Sequence, residues 1–265
     1  MLAFAANSVL NRLALADTAI DAASFTLIRL AAGALVLWAL VQRQAGGRLA
    51  GDWPGASALF VYAAAFSFAY RALSTGTGAL LLFGTVQVSM IAVGLFKGER
   101  FRPLQIAGFV AALGGLGVLL APGVSAPPVD AALLMVLAGL AWGVYSLRGR
   151  HASGTPLAVT AGNFVRAVPL AIGLSMVSAA DAQIDLSGAA YAVLSGALAS
   201  GVGYAIWYSA LRGLTATQAA TVQLSVPVIA ALGGALLLAE PLTARLALAS
   251  AATLGGIALV VTTRR

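Results

Sequence analysis

Two arginines stand alone inside apolar segments. Arg29 closes Phe25-Thr26-Leu27-Ile28-Arg29, and Arg166 closes Gly162-Asn163-Phe164-Val165-Arg166. A guanidinium in such surroundings either holds an anion, such as a substrate carboxylate, or bonds to backbone carbonyls and locks a neighbouring helix. Arg166 lies about ten residues into its segment, hence roughly 15 Å deep in a helix. Aromatic residues form the second set. Tyr62, Phe66 and Tyr70 recur every fourth residue and share one helical face. Tyr204 and Tyr208 repeat that spacing, with Trp207 on their flank, and Trp142 lies one turn from Tyr145. Such stripes either wall a cavity for an amphipathic or aromatic solute or simply pack helices together. Tyr70 and Tyr208, near segment ends, also fit an interfacial position. The third set is amides within apolar segments: Asn7, Asn11, Gln87, Asn163 and Gln223. Singly they read as interhelical hydrogen bonds, and clustered they read as a polar binding site. Gln223 stands four residues before Pro227, which removes a helical hydrogen bond and frees a carbonyl.

Other chemistries lack their residues. The chain has no Cys, so disulfides and thiolate catalysis are excluded, and its one His, His151, cannot assemble a zinc site. No metal or cofactor is expected. No His-Glu or Ser-His constellation falls within an apolar segment, which argues against an intramembrane enzyme. None of the eight acidic residues is central in a segment, which argues against exchange of cations for protons. Glu99 and Glu240, at segment ends, read as helix-dipole and capping groups. The Gly201-Val202-Gly203 triplet follows no strand and is no nucleotide loop.

The elements that must position these residues are membrane helices. Of 265 residues, 61% are hydrophobic and 9% charged, with a mean hydropathy of +0.97. A soluble chain carries about a quarter charged residues. The net charge of +7 does not point to nucleic acid, because the cations stand singly or in pairs between apolar runs rather than on one basic face. Gly, Pro and charges mark off ten spans, at 1–16, 22–42, 53–71, 75–96, 103–121, 130–147, 156–178, 187–210, 214–238 and 242–262. Pro54, Pro103, Pro156 and Pro241 suit first turns, and Asp21, Asp52 and Asp185 suit N-caps. The first span covers only roughly 24 Å of about 30 Å of hydrocarbon, which suggests a few residues before Met1. Arg12, near that span's end, is expected to snorkel to the surface. Gly139-x-x-x-Gly143 and the pairs Gly114-Gly115 and Gly255-Gly256 read as close helix contacts.

The chain also repeats itself. Ala79–Leu120 lies on Ala220–Val261 without a gap, placing Glu99 on Glu240 and Gly114-Gly115 on Gly255-Gly256. With the N-terminus inside, the inner connections hold Arg43, Arg48, Lys97, Arg100, Arg102, Arg148, Arg150, Arg212, Arg264 and Arg265, against Arg71 and Arg245 outside. This is a strong positive-inside bias. Five spans per half is an odd number, so the halves 1–124 and 125–265 are expected to be inverted repeats meeting at a midplane site.

This pattern resembles the EamA family of the drug/metabolite transporter superfamily. The resemblance rests on Arg29 and Arg166, the endings Tyr70-Arg71-Ala72-Leu73 and Tyr208-Ser209-Ala210-Leu211, the Glu99 and Glu240 helix ends, and Pro227. The first half departs from the pattern, with Val86 where the second has Pro227. The resemblance implies an all-α polytopic protein of the bacterial inner membrane, both termini cytoplasmic, exporting a small metabolite such as an amino acid by alternating access. Other metabolite or drug classes stay open as substrates. A channel would need a ring of like polar residues instead. The partners implied are a small-molecule substrate and the lipid bilayer. The substrate-binding candidates are Asn7, Asn11, Arg29, Phe66, Tyr70, Gln87, Trp142, Tyr145, Arg166, Tyr204, Tyr208 and Gln223. Because the family pattern places an arginine here irrespective of substrate, the reading in which Arg166 and Arg29 both bond to backbone carbonyls and lock the bundle is favoured.

Overall fold

A computed structural model describes residues 1–44, 47–96, 98, 100–123, 126–149, 152–211 and 222–263, without the side chains of 208, 209 and 211. Lys97, Glu99, Arg150, His151, Arg212, Arg264, Arg265 and the Tyr208 side chain therefore lie outside the described residues. The described part is helical throughout: α1 (Leu2–Asp17), α2 (Ala22–Gln42), α3 (Trp53–Tyr70), α4 (Thr75–Phe96), α5 (Pro103–Leu120), α6 (Val129–Gly149) and α7 (Pro156–Val177). After a short 3-10 turn, α8 (Leu186–Leu194) continues through a π-helical stretch, Ser195–Val202, into α9 (Gly203–Leu211). Then come α10 (Ser225–Leu237) and α11 (Ala244–Thr262).

The helix starts follow from local chemistry. Asp21 Oδ1 accepts from the Ala23 and Ser24 amides at 2.9 Å, Asp52 Oδ1 from Gly55 N at 2.6 Å, and Asp185 Oδ2 from Gly188 N at 3.1 Å. Each side chain satisfies amides that have no intrahelical partner. Pro54, Pro103 and Pro156 occupy first turns, whereas Pro241 falls before α11, whose cap is Thr243. The eighth span is not a plain α-helix, because the π-helical stretch interrupts it. In the ninth, the helical register breaks at Leu224, ahead of Pro227, as the missing amide of Pro227 requires.

Among the described residues, seven helical runs are long and apolar enough to cross a membrane: Ala22–Gln42, Thr75–Phe96, Pro103–Leu120, Val129–Gly149, Pro156–Val177, Leu186–Trp207 and Ala244–Thr262. The interior is apolar, but large apolar side chains also cover the outside of the bundle. Phe96, Leu186 and Leu236 are more than four-fifths exposed, while Arg29, Asn11, Ser67 and Thr26 are buried. This is the arrangement of a multi-pass membrane protein, in which apolar side chains face lipid and polar ones are satisfied within the bundle.

Consecutive spans run antiparallel, with α8 and α9 forming a single span. Arg12 pairs with Glu240 and the Asp21 amide donates to Gln183 O, gathering residues 18–21, 71–74, 178–185 and 238–243 at one end. Arg148 pairs with Asp52 and the Ala50 amide donates to Ala158 O, at the opposite end. We call these the Glu240 end and the Asp52 end. The main helix contacts are α2 with α7, α3 with α6, α4 with α6 and α10, α1 with α8 and α10, and α5 with α11. Glycines permit several of these crossings. Gly139 and Gly143 face Thr85 and Ser89 of α4, and Gly115 and Gly256 press α5 against α11, as their spacing suggested.

Candidate functional site

The site is built around Arg29, eighth residue of α2 and 1% exposed. Its Nη2 donates to the Tyr62 hydroxyl at 3.3 Å, and Cζ lies 5.5 Å from the Tyr62 ring centre and 5.1 Å from that of Phe66. Nε and Nη1 have no hydrogen-bond partner among the described residues. Ring faces attract the cation, but they do not replace partners for the N–H groups of Nε and Nη1. A buried guanidinium left so is expensive, and an anion such as a carboxylate would supply the acceptors that Nε and Nη1 lack. The π-helical stretch presses against this point. A Cβ on Gly196 would collide with the Arg29 carbonyl, and one on Gly33 would come within 2.6 Å of the Phe164 ring.

The aromatic residues form a continuous column through the bundle. Tyr70 meets Phe66 with ring centres 4.7 Å apart, Phe66 meets Tyr62 at 5.5 Å, and Tyr62 meets Trp142 at 4.7 Å. Trp142 then contacts Tyr145 at 5.3 Å and Tyr204 at 5.4 Å. Phe4 and Phe164 pack edge-on to Tyr204. The two expected walls therefore meet through Trp142 and stack on one another. Tyr70 is not interfacial. It is fully buried, and its hydroxyl donates to Thr75 O at 3.3 Å beneath the α3–α4 turn. Phe164 and Tyr62 belong to the cluster more intimately than the spacing argument foretold, because only helix crossing brings them to Tyr204 and Arg29.

The amides divide. Asn11 Nδ2 donates to Asn7 O at 2.8 Å and to Ser195 Oγ at 3.2 Å, Ser195 Oγ donates to Asn7 Oδ1 at 2.5 Å, and Ser67 Oγ donates to Asn11 Oδ1 at 3.4 Å. This buried node ties α1 to α3 and to the π-helical stretch, where the serines had offered no sequence signal. Gln87 is buried within α4, and Gln223 is half-buried beside the break at Leu224.

Arg166 is occupied by the backbone. Its Nη1 donates to Ala50 O and Gly162 O, each at 2.9 Å, because a helical side chain leans toward its own N-terminus. It thereby fastens the α2–α3 connection along α7, where Asn163 Oδ1 also accepts from Asp52 N at 3.0 Å. Arg166→Ala is expected to lower stability by about 1–2 kcal/mol, read as the melting temperature in detergent, with substrate affinity retained. Loss of affinity at unchanged melting temperature would assign Arg166 to the substrate instead.

Arg12 does not snorkel. Its Nε meets Glu240 Oε1 at 3.2 Å, and Nη1 donates to Tyr70 O and Arg71 O at 3.1 and 3.2 Å. Glu240 Oε2 accepts from Thr75 N at 2.8 Å. The capping role expected of Glu240 is thus real, but it serves the first turn of α4 rather than that of the helix following it. These bonds close the Glu240 end. Glu240→Ala is expected to cost about 3 kcal/mol, since it strands Arg12 and uncaps α4. Differential scanning fluorimetry measures this, and a shift under 2 °C would refute it.

At the Asp52 end a cavity of about 420 Å³ opens between α3, α6 and α7, lined by Gly51, Asp52, Tyr145, Arg148, Ser153 and Asn163 among others. Gly51 adopts φ +82, a left-handed turn that sets the Asp52 amide against Asn163. Arg148 Nη2 lies 2.7 Å from Asp52 Oδ2. The bond from Arg148, aided by the Gly55 amide, holds the Asp52 carboxyl below the usual carboxylate range. Asp52 therefore remains an anion at neutral pH.

Antiparallel apolar helices enclosing a buried cation and an aromatic column, with a cavity open at one end, make a membrane transport protein. Residues 130–262 match the EamA-like transporter family, and the chain belongs to that family, within the drug/metabolite transporter superfamily. It is 60% identical to an uncharacterized protein of Pseudomonas aeruginosa over 100% of this chain and 92% of the relative. It is 34% identical over 58% of its length to the threonine/homoserine exporter RhtA of Salmonella typhimurium, covering 52% of that protein. An uncharacterized transporter of Archaeoglobus fulgidus is 27% identical over 72% of this chain and 70% of its own. A solved crystal structure, 22% identical, superposes over 100% of this chain and 98% of its own with a TM-score of 0.68, so the fold is shared.

Proposed function

We propose that this protein is a secondary transporter that carries a small amphipathic metabolite, foremost an amino acid, outward across the bacterial inner membrane by alternating access. The observation that carries this reading is Arg29, a fully buried guanidinium beside aromatic faces whose Nε and Nη1 have no hydrogen-bond partner among the described residues. Arg29 holds the solute's carboxylate, and Phe66, Trp142, Tyr145 and Tyr204 cover its apolar part. Tyr70, Asn7 and Asn11 support that surface from behind, and Gln87 and Gln223 serve as further polar contacts for the solute along its path. Arg166 keeps the scaffold in place.

The architecture we infer is ten transmembrane helices in two inverted halves, 1–124 and 125–265, with both termini cytoplasmic. The helix contacts support it, because exchanging halves maps most of them onto one another: α3 with α6 becomes α8 with α1, and α4 with α6 becomes α10 with α1. Thr253 Oγ1 facing Ala112 O at 3.5 Å joins positions equivalent in the repeat. The positive-inside bias supports the orientation, and the exporter among the relatives supports the direction and the solute class. The test is counterflow in proteoliposomes preloaded with single amino acids, with and without a pH gradient. Saturable, trans-stimulated flux of a carboxylated solute is expected. Flux that never saturates, or no flux of any amino acid, would overturn the reading.

A further inference from the structure

The Asp52–Arg148 pair at the mouth of the cavity does no work that the fold requires. Helix capping uses Asp52 Oδ1, and the backbone of Asp52 is fixed separately through its amide to Asn163 Oδ1 at 3.0 Å. Oδ2 is left for Arg148 alone, and the two side chains are 53% and 45% exposed. An ion pair so exposed contributes little to stability. Behind it lies a space of about 420 Å³, within the range of small-molecule sites. Tyr145, 4% exposed, lies on the cavity wall and stacks on Trp142, which leads along the column toward Arg29.

We infer that this cavity is a loading site for zwitterionic α-amino acids, which bind by replacing the Asp52–Arg148 pair with two pairs of their own. The solute's carboxylate takes the Arg148 guanidinium, its ammonium takes Asp52 Oδ2, and its side chain enters the cavity toward Tyr145. This rests on the transporter reading above and adds a second, shallower site to it. The exchange is selective by charge balance. A zwitterion leaves both protein charges paired, a carboxylate without an amine strands Asp52, and an amine without a carboxylate strands Arg148. Discrimination therefore arises before the solute reaches Arg29. Opening the pair also unclips the start of α3 from the end of α6, the two helices that carry Tyr62, Phe66 and Trp142.

The experiment uses the full chain in nanodiscs and proteoliposomes, with L-phenylalanine and L-threonine as zwitterions, 3-phenylpropionate lacking the amine, and phenethylamine lacking the carboxylate. Asp52→Asn retains a capping side chain and Arg148→Gln alters an exposed group, so both variants are expected to melt as the wild type does. At least one zwitterion is expected to bind about tenfold more tightly than either single-charge analogue. Asp52→Asn should erase its advantage over 3-phenylpropionate, and Arg148→Gln its advantage over phenethylamine. Each variant should raise KM for loading from the Asp52 end about tenfold with kcat kept. The inference is overturned if neither zwitterion binds, if the probes bind alike, or if both variants leave KM unchanged. Arg29→Gln separates the two readings: it should stop flux while binding at the cavity persists. Flux unaffected by Arg29→Gln, with KM still shifted in the Asp52 and Arg148 variants, would sink the Arg29 reading and leave the loading site standing.

Discussion

Arg29→Gln is expected to reduce transport of carboxylated solutes by about 100-fold or more while the protein inserts and folds normally. Two charge-assisted hydrogen bonds to a carboxylate contribute about 1.5–3 kcal/mol each, and glutamine cannot supply that pair. The decisive companion is Arg29→Met. Among the described residues the Arg29 guanidinium holds one hydrogen bond, to Tyr62, and leaves Nε and Nη1 without partners. Replacing such a buried charge by an apolar side chain of similar length is often neutral or stabilising. Arg29→Met is therefore expected to melt at or above the wild-type temperature, yet to transport nothing. If it instead melts well below wild type, Arg29 serves the packing of α2 rather than the solute. Arg166 is the contrast within the same chain, because its Nη1 is already bonded to Ala50 O and Gly162 O.

The second large effect is expected at Gly196→Val. Here α2 and the π-helical stretch cross so closely that the first added carbon lands on the Arg29 carbonyl. That neighbour is backbone and cannot swing away, so either α2 shifts or the stretch unwinds. Overpacking of this kind costs about 3 kcal/mol or more, and the displacement would also move Arg29 off Tyr62 and Phe66. Little folded protein is expected in the membrane fraction, measured by fluorescence-detection size exclusion. Gly255→Ala is the control. A Cβ there meets nothing within 4 Å, and alanine favours the helix, so its melting temperature should hold or rise slightly. Equal behaviour of the two variants would refute the crossing.

Much of the scaffold is legible without coordinates because its causes are local. The run Ala22–Gln42 is helical and membrane-long by composition alone, and Asp21 starts it through its own carboxylate. Asp52, Asp185, Pro103 and Pro156 act through the same short-range rules. The π-helical stretch Ser195–Val202 was not legible, because its small residues suit an ordinary helix equally well and its register depends on what crosses it. Arg12 was misread for a related reason: a cation near a helix end snorkels unless something opposes it, and Glu240 lies 228 residues away.

The amino-acid order by itself identifies seven helical runs long and apolar enough to cross a membrane, several of their starts, and which residues could act on an anion or an aromatic solute. Those choices depend on hydrophobicity and on hydrogen bonds reaching only a few residues. Tertiary structure alone decides which of two similar arginines is left with unused donors, and that the aromatic stripes of α3, α6 and α9 converge on Trp142. It also decides that Asp52 and Arg148 pair at the mouth of a cavity. Those outcomes depend on helix crossings, where the distance between side chains is set by packing and not by position along the chain.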